Sequence, residues 1–111
     1  PRDCSSPVRR SAEFASRFLS AGRDLQRAWI ATRPEPTGDP RWDAFLGALV
    51  EWLAVRSRLE VPEWAYEPDR YLDRAWWVTD AESMKAWEYA GAPMSFKLHG
   101  VYLHRDSLVN I

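Results

Sequence analysis

A chain of 111 residues with 46% hydrophobic and 14% aromatic residues can bury one packed core, and this composition excludes a natively disordered polypeptide. The single cysteine, Cys4, excludes an internal disulfide, and no apolar run reaches the roughly 20 residues that span a bilayer or resembles a signal peptide. With a net charge of −1 and no membrane signal, the chain is predicted to be one compact cytoplasmic unit without membrane contact.

The first third of the chain predicts two helices behind a frayed arm. Aromatic residues spaced as on one helix face favour a helix over residues 8–21, after an arm at residues 1–7. A second helix is predicted over residues 23–32. Its inner side is predicted to carry three apolar side chains, Leu25, Ala28 and Trp29.

Prolines and a glycine between residues 34 and 38 break the helical pattern. We therefore predict a basic N-terminal arm with helices, residues 1–35, and a helical interaction domain, residues 36–111. Seven arginines face three acids through Arg33, a net charge of +4, whereas eight basic residues face thirteen acids from there on, a net charge of −5. The basic segment could lie against its own acidic body or contact nucleic acid, and the acidic part could meet a basic protein.

The clearest predicted element is a long helix over residues 39–59. Asp39 is a favourable N-cap, and Pro40 suits the first helical position. Apolar residues then recur every three or four positions, which predicts one broad stripe facing the core. The stripe consists of Trp42, Phe45, Leu46, Leu49, Val50, Leu53 and Ala54. Trp52 lies off this stripe and is predicted to be exposed.

The middle of the chain predicts irregular loops. Pro62 and Pro68 exclude a long helix there, although short helical turns can form beside them, and residues 75–79 read as extended or irregular. Asp80 is predicted to cap a third helix over residues 81–90. The inner side of this helix is predicted to be covered by Met84 and by Trp87 or Trp77.

The C-terminal residues predict a further short helix over residues 93–98 and a strand over residues 101–104, and Asp106 is predicted to cap a last turn. A single strand needs a partner. The predicted fold is therefore a small, mainly α-helical domain with a long central helix, irregular loops rich in Trp and Pro, and at most one or two short C-terminal strands.

No residue pattern in the sequence is typical of a catalytic or metal site. His99 and His104 are not spaced as a pair on one helix face, and no serine lies in a glycine-flanked nucleophile elbow. The acids between residues 63 and 73 are predicted to form ordinary surface ion pairs with Arg70 and Arg74. We therefore predict no enzyme activity, no catalytic or metal-ligating residues and no cofactor.

Seven tryptophans are more than a small core should absorb, because each can bury about 150 to 250 Å². Exposed Trp and Tyr side chains are typical of protein interfaces. We predict that Trp52, Trp64 and Tyr66 bind a partner protein. The alternative is that they pack irregular loops onto the helices.

The N-terminal arginines form a second candidate site. Arg9, Arg10 and Arg17 could contact phosphates, and such binding would weaken with salt. The alternative is a solvated helix face, because no recognition-helix motif follows them.

Residues 36–108 resemble a domain of actinobacterial helix-turn-helix regulators in which it follows the DNA-binding part. The matching segments are TGDPRWDA at 37–44, LVEWLAVR at 49–56, VPEWA at 61–65, EPDRYLDR at 67–74, APMSF at 92–96 and HGVYL at 99–103. Such proteins look like antitoxin or regulator partners encoded beside nucleotidyltransferase-like toxins. The resemblance implies that this domain binds and restrains a protein, such as a toxin of that kind. No helix-turn-helix precedes residue 36, so DNA contact of the family's kind would need a region absent from this chain.

We therefore predict a non-enzymatic protein-interaction domain of an antitoxin or transcriptional-regulator type. One alternative is a small-molecule-binding or enzymatic domain with a pocket between the central helix and the loops at residues 64–77. Its lining would include Tyr66, Tyr71, Asp73 and His99. A second alternative is nucleic-acid binding through the arginine-rich N-terminus. A concave pocket with convergent polar groups would favour the first alternative, and an exposed aromatic patch would favour the interaction domain.

Overall fold

One long central helix organises the fold. The computed structural model describes residues 5–108, so Cys4 and the start of the predicted arm lie outside the described residues. The described chain forms five α-helices. They are α1 (Ser5–Ser20), α2 (Arg23–Ala31), α3 (Pro40–Arg56), α4 (Lys85–Gly91) and α5 (Met94–Leu98). The prediction of a mainly α-helical domain with a long central helix is confirmed.

Two short strands, β1 (Trp76–Trp77) and β2 (Val101–Tyr102), form a parallel pair. The backbone N–H of Trp76 donates to the carbonyl oxygen of Gly100 at 2.8 Å. Parallel strands need a long crossover, and α4 and α5 supply it here. The predicted C-terminal strand therefore has its partner in the segment predicted to be extended or irregular. Single 3-10 turns lie at Glu63–Tyr66, Pro68–Arg70, Glu82–Met84 and Arg105–Ser107.

The start of α3 follows its local sequence signals. The Asp39 carboxylate accepts a hydrogen bond from the backbone N–H of Arg41 at 3.0 Å, and Pro40 occupies the first helical position. This N-cap saturates a donor that the helix itself leaves free. The predicted start of the central helix is confirmed.

The central helix ends at Arg56, slightly before the predicted residue 59. Arg58 takes a left-handed conformation with φ of 59°, and the N–H of Leu59 donates to the carbonyl oxygen of Ala54 at 2.8 Å. These features form a Schellman-type helix end. The Arg23 guanidinium donates to the carbonyl oxygens of Ser57 and Arg58, both at 3.0 Å. A cation from the start of α2 therefore stabilises the negative end of α3.

The core surrounds α3 on more than one side. Phe18 of α1 and Ile30 of α2 belong to the same buried cluster as most of α3. Phe96 of α5 packs edge-on against Phe45, with ring centroids 5.5 Å apart, and lies 6.1 Å from the Trp52 ring. The expected exposure of Trp52 is wrong, since only 8% of its surface reaches solvent. The prediction assumed that α3 buries only one apolar stripe, whereas α5 also covers the side of α3 that carries Trp52.

The two N-terminal helices differ from their predicted form. The first helix is already present at Ser5, with Pro7 within its first turns, rather than starting at residue 8. The second helix buries Gln26 and Ile30. The predicted inner residues of α2 are instead exposed, namely Leu25, Ala28 and Trp29. The Gln26 amide donates to the carbonyl oxygen of Phe18 at 2.7 Å, which holds the polar side of α2 inward.

The predicted third helix is shorter than expected, and its caps differ. Asp80 has a φ of 54° and provides no side-chain cap, and α4 begins only at Lys85. Of the predicted inner residues, Met84 and Trp87 are exposed, whereas Trp77 is half-buried and its indole N–H donates to the carbonyl oxygen of Lys85 at 3.3 Å. Glu88 is buried instead. The last turn is capped by His104 and not by Asp106, because the Asp106 N–H donates to His104 Nδ1 at 3.0 Å.

Candidate functional site

A buried histidine and a buried glutamate meet between α3 and the end of α5. His99 Nε2 lies 2.6 Å from Glu51 Oε1, although the two residues are 48 positions apart in the chain. His99 Nδ1 lies 2.6 Å from the carbonyl oxygen of Arg70. His99 is fully buried and Glu51 nearly so. Both imidazole nitrogens are therefore engaged inside the protein.

The partners of His99 determine where its protons lie. A carbonyl oxygen can only accept, so Nδ1 must carry a hydrogen and donate it to Arg70. Nε2 then either donates to a Glu51 carboxylate or accepts from a neutral Glu51 carboxyl group. In both arrangements the two side chains share one proton and carry no net charge. Neither arrangement leaves a ring nitrogen for a substrate or a metal ion.

Gly47 allows this close packing. A Cβ atom on Gly47 would lie 2.9 Å from the Arg70 Cβ, 3.2 Å from the His99 Cε1 and 3.3 Å from the Ala65 carbonyl oxygen. Such contacts are closer than packed side chains tolerate, so only glycine lets α3 approach these residues. Glu51 follows one helical turn later and faces the same neighbours.

Two tyrosines lie above the pair. The Tyr71 ring stacks on the His99 imidazole, with centroids 4.2 Å apart and planes tilted by 10°. Tyr71 is 36% exposed and Tyr66 is 51% exposed. Partial burial, and then the nearby Glu51 carboxylate, raise the pKa of both tyrosines. Their hydroxyl groups are therefore neutral at physiological pH and can both donate and accept hydrogen bonds.

Val55 on α3 and Leu98 on α5 are also largely exposed. We refer to the two exposed tyrosines as the tyrosine face. It consists of Tyr66 and Tyr71.

The predicted partner-binding residues separate into one exposed and two buried side chains. Tyr66 is exposed as predicted, but Trp64 is only 7% exposed and Trp52 is buried beside α5. The indole N–H of Trp64 donates to the carbonyl oxygen of Ile30 at 2.9 Å. The exposure expected of Trp52 and Trp64 is therefore wrong, because both pack helices together. Partner binding by any of the three stays a prediction.

The residues of the alternative pocket are only partly brought together. The structure brings Tyr66, Tyr71 and His99 together around Glu51. Asp73 is exposed, and no polar contact within residues 5–108 joins it to the pair. Sequence reasoning missed Glu51, because a glutamate in a helix usually faces solvent. Its place inside an apolar run, one turn after a glycine, was the available signal.

An apolar groove lies elsewhere, between α1 and α3. Two adjoining cavities of about 290 and 310 Å³ share Arg10, Ser11 and Leu46 in their walls. Aromatic side chains supply much of the remaining lining, including Phe14, Trp29, Trp42, Phe45 and Trp64. Trp64 therefore faces this groove.

The N-terminal arginines do not form one uniform basic surface and differ in the residues around them. Arg9 and Arg17 are exposed on α1, where Glu13 lies between them. Arg10 is exposed at the apolar groove. Arg33 Nε donates to Glu67 Oε1 at 2.7 Å, so the basic segment lies partly against its own acidic body.

Three comparisons with known proteins found no match for this chain. No protein-family model, no curated protein and no solved structure matches it. The resemblance to actinobacterial regulators therefore stays a prediction. Across residues 5–108, no three histidine, cysteine, aspartate or glutamate side chains are grouped so that they could hold a metal ion. None of the helices in this range has the length and apolar character needed to cross a membrane.

Proposed function

We propose that this chain is a non-enzymatic protein-interaction domain of an antitoxin or transcriptional-regulator type, which binds and restrains a partner through the tyrosine face. The observation that carries the proposal is the stacking of the exposed Tyr71 on His99, at 4.2 Å, with His99 held by Glu51 from below. An exposed aromatic side chain is thus fixed in position before a partner arrives.

Fixing a side chain in advance favours binding. Ordering a flexible side chain at an interface costs about 0.5 to 1.5 kcal/mol, and a side chain that is already held avoids most of that cost. Tyrosine also combines a large apolar ring with a hydroxyl group, as protein interfaces require. The tyrosine face therefore combines apolar contact with hydrogen-bonding groups.

The same geometry argues against acid–base catalysis at this site. A general base must reach the proton that it removes from a substrate. His99 is fully buried under Tyr71, and both of its nitrogens are already bonded. The Glu51–His99 pair therefore supports a surface and does not act on a ligand.

Charge indicates the kind of partner. The chain from residue 34 onward carries a net charge of −5, which attracts a basic protein surface and accelerates its approach. The family resemblance makes a nucleotidyltransferase-like toxin protein the partner that we propose. The proposal requires no cofactor.

The test compares tyrosines inside and outside the face. The partner is first identified by native co-purification and then purified, and its affinity is measured by calorimetry for the wild type and each variant. We expect Tyr66→Ala and Tyr71→Ala to weaken binding by about 2 kcal/mol, or roughly 30-fold. Tyr89→Ala is the matched control, since Tyr89 is an equally exposed tyrosine on α4. Unchanged affinity in both face variants would contradict the proposal.

The apolar groove favours a second candidate function, the binding of a small apolar ligand. Its adjoining cavities of about 290 and 310 Å³ approach the size of ordinary ligand pockets, which begin at about 300 Å³. An apolar fluorescent dye should bind the wild type, and Leu46→Trp should abolish this binding by filling the wall that both cavities share. Equal binding by both proteins would remove this candidate.

A further inference from the structure

A second buried carboxyl group lies on α4 and takes no part in the tyrosine face. Glu88 has 0% of its surface exposed. The Thr79 hydroxyl donates to Glu88 Oε1 at 2.9 Å, whereas Oε2 is buried without a hydrogen-bond partner in the described structure. A carboxylate in this position would exchange its hydration for the Thr79 hydrogen bond and a contact with the backbone of His104, which disfavours the charged form.

The groups around Glu88 act in opposite directions. Burial raises the pKa of Glu88, while the Thr79 hydrogen bond, the charge of His104 and a hydrogen bond from the His104 backbone each lower it by a smaller amount. His104 is the titratable group that faces Glu88 from the segment after β2, and Asp106 lies behind it, with Oδ2 3.7 Å from His104 Nδ1. On the helix itself, Lys85 is paired with the exposed Glu82 at 3.3 Å.

The His104 ring also packs against α4. Its ring stacks on the Trp87 indole, with centroids 3.8 Å apart and planes tilted by 11°. A Cβ atom on Gly91 would overlap the His104 ring, so the ring lies flat against the helix backbone. Because His104 Nδ1 accepts from the Asp106 N–H, the neutral ring carries its hydrogen on Nε2. The short helix α4 is therefore held in place by its own buried Glu88 carboxyl group and by the His104 ring stacked on Trp87.

We propose that Glu88 is a proton-dependent contact, which holds α4 against Thr79 and His104 when the carboxyl group is neutral and releases α4 when the group ionises. On ionisation the proton leaves to solvent and the carboxylate must recover hydration, which it can do only if α4 moves away from its neighbours. The movement separates Trp87 from His104 and changes the surface that α4 presents. The contact closes at low pH and opens as the pH rises.

The side-chain carboxyl carbon of Glu88 reports the proton directly. In a ¹³C-glutamate titration by NMR, we expect the Glu88 signal to change at higher pH than the signals of the exposed glutamates. Hydrogen-exchange protection factors of the α4 amides should fall over the same pH range, by up to about tenfold per pH unit for one proton. Glu88→Gln should keep the α4 protection factors constant across this range.

Two further variants make the test decisive. Glu82→Gln is the control, because Glu82 is an exposed glutamate that pairs with Lys85 at the start of α4. This substitution should leave the pH dependence of the α4 protection factors unchanged. Thr79→Val removes the hydrogen bond to Oε1, so the Glu88 titration should move to still higher pH even if Glu88→Gln fails to fold. The proposal is overturned if Glu88 titrates together with the exposed glutamates. It is also overturned if α4 loses protection with pH to the same extent in Glu88→Gln.

Discussion

The Arg70 guanidinium lies over the Trp64 ring, with its central carbon 4.8 Å from the ring centroid. Arg70 is almost fully buried, although the sequence predicted that it would form surface ion pairs. Its guanidinium also donates to the carbonyl oxygens of Asp43 at 3.1 Å and Pro34 at 3.4 Å. Within residues 5–108 no carboxylate forms an ion pair with Arg70, so carbonyl dipoles and the face of an indole compensate its buried charge.

The first prediction concerns this arginine. Arg70→Met keeps much of the side-chain volume but removes a buried cation and its hydrogen bonds to two partly buried carbonyl groups, so we expect a loss of about 2 to 4 kcal/mol in the free energy of unfolding. Urea denaturation gives the value. The exposed Arg74→Met serves as control and should change stability by less than about 0.5 kcal/mol. Equal effects of the two substitutions would show that the buried contacts of Arg70 contribute nothing.

The second prediction concerns Gly47. Alanine favours a helix over glycine by about 1 kcal/mol, yet its Cβ would press against Arg70 and the backbone of Ala65. We expect Gly47→Ala to destabilise the fold by about 1 to 3 kcal/mol, because overpacking outweighs propensity. Gly22→Ala is the control, since nothing lies within 4 Å of a Cβ there. A more stable Gly47→Ala protein would mean that α3 has room to move.

The third prediction separates buried from exposed aromatic side chains. Trp64→Ala should cost about 3 to 5 kcal/mol of stability, because it leaves a cavity and removes the donor to Ile30. Tyr66→Ala should cost less than about 1 kcal/mol, since half of Tyr66 is already exposed. Thermal and urea unfolding of both variants measure the difference. If the order is reversed, Tyr66 belongs to the core and not to the tyrosine face.

The fourth prediction concerns the pH dependence of stability. Burial raises the pKa of Glu88 in the folded state above its ordinary value of 4.5. At a pH between the unfolded-state and folded-state pKa values of Glu88, the unfolded chain has released a proton that the folded chain still holds. The stability contributed by Glu88 therefore falls as the pH rises. This stabilisation is fully present below pH 4.5, the ordinary pKa of the group, and is lost once the pH exceeds the pKa of Glu88 in the folded protein. The slope for one proton is at most about 1.4 kcal/mol per pH unit.

The measurement for this fourth prediction is urea unfolding between pH 4 and 8, with wild type and Glu88→Gln compared at each pH. The difference between the two proteins should move in favour of Glu88→Gln as the pH rises. A constant difference across the series would mean that the proton affinity of Glu88 is the same in the folded and unfolded states.

The sequence predicted the features of the fold that neighbouring residues decide, such as the start of the central helix. Asp39 and Pro40 mark the start of α3, because capping and backbone geometry are decided within a few residues. The inner face of α2 and the burial of Trp52 were predicted wrongly. Periodicity assumes one buried face per helix, whereas α3 is covered by helices on several sides.

The candidate site could be predicted only in part. Tyr66, Tyr71 and His99 were expected to lie together, but the glutamate that joins them was not identified. Glu51 and His99 are 48 positions apart, and only the packing of α5 against α3 brings them into contact. The pairing of a polar side chain with a distant partner has no periodic signature in a single sequence.

The contact of Arg23 with the end of α3 has a consequence for the chain between α2 and α3. Residues 32–39 form no helix or strand and are mostly exposed, so this connection is the natural place for a protease to cut. Across the cut, the Arg23 guanidinium would still bind the Ser57 and Arg58 carbonyl oxygens, and the Ile30 carbonyl would still accept from Trp64. The two pieces would therefore remain associated without a covalent link. Separately produced fragments divided within this connection should reassemble by complementation.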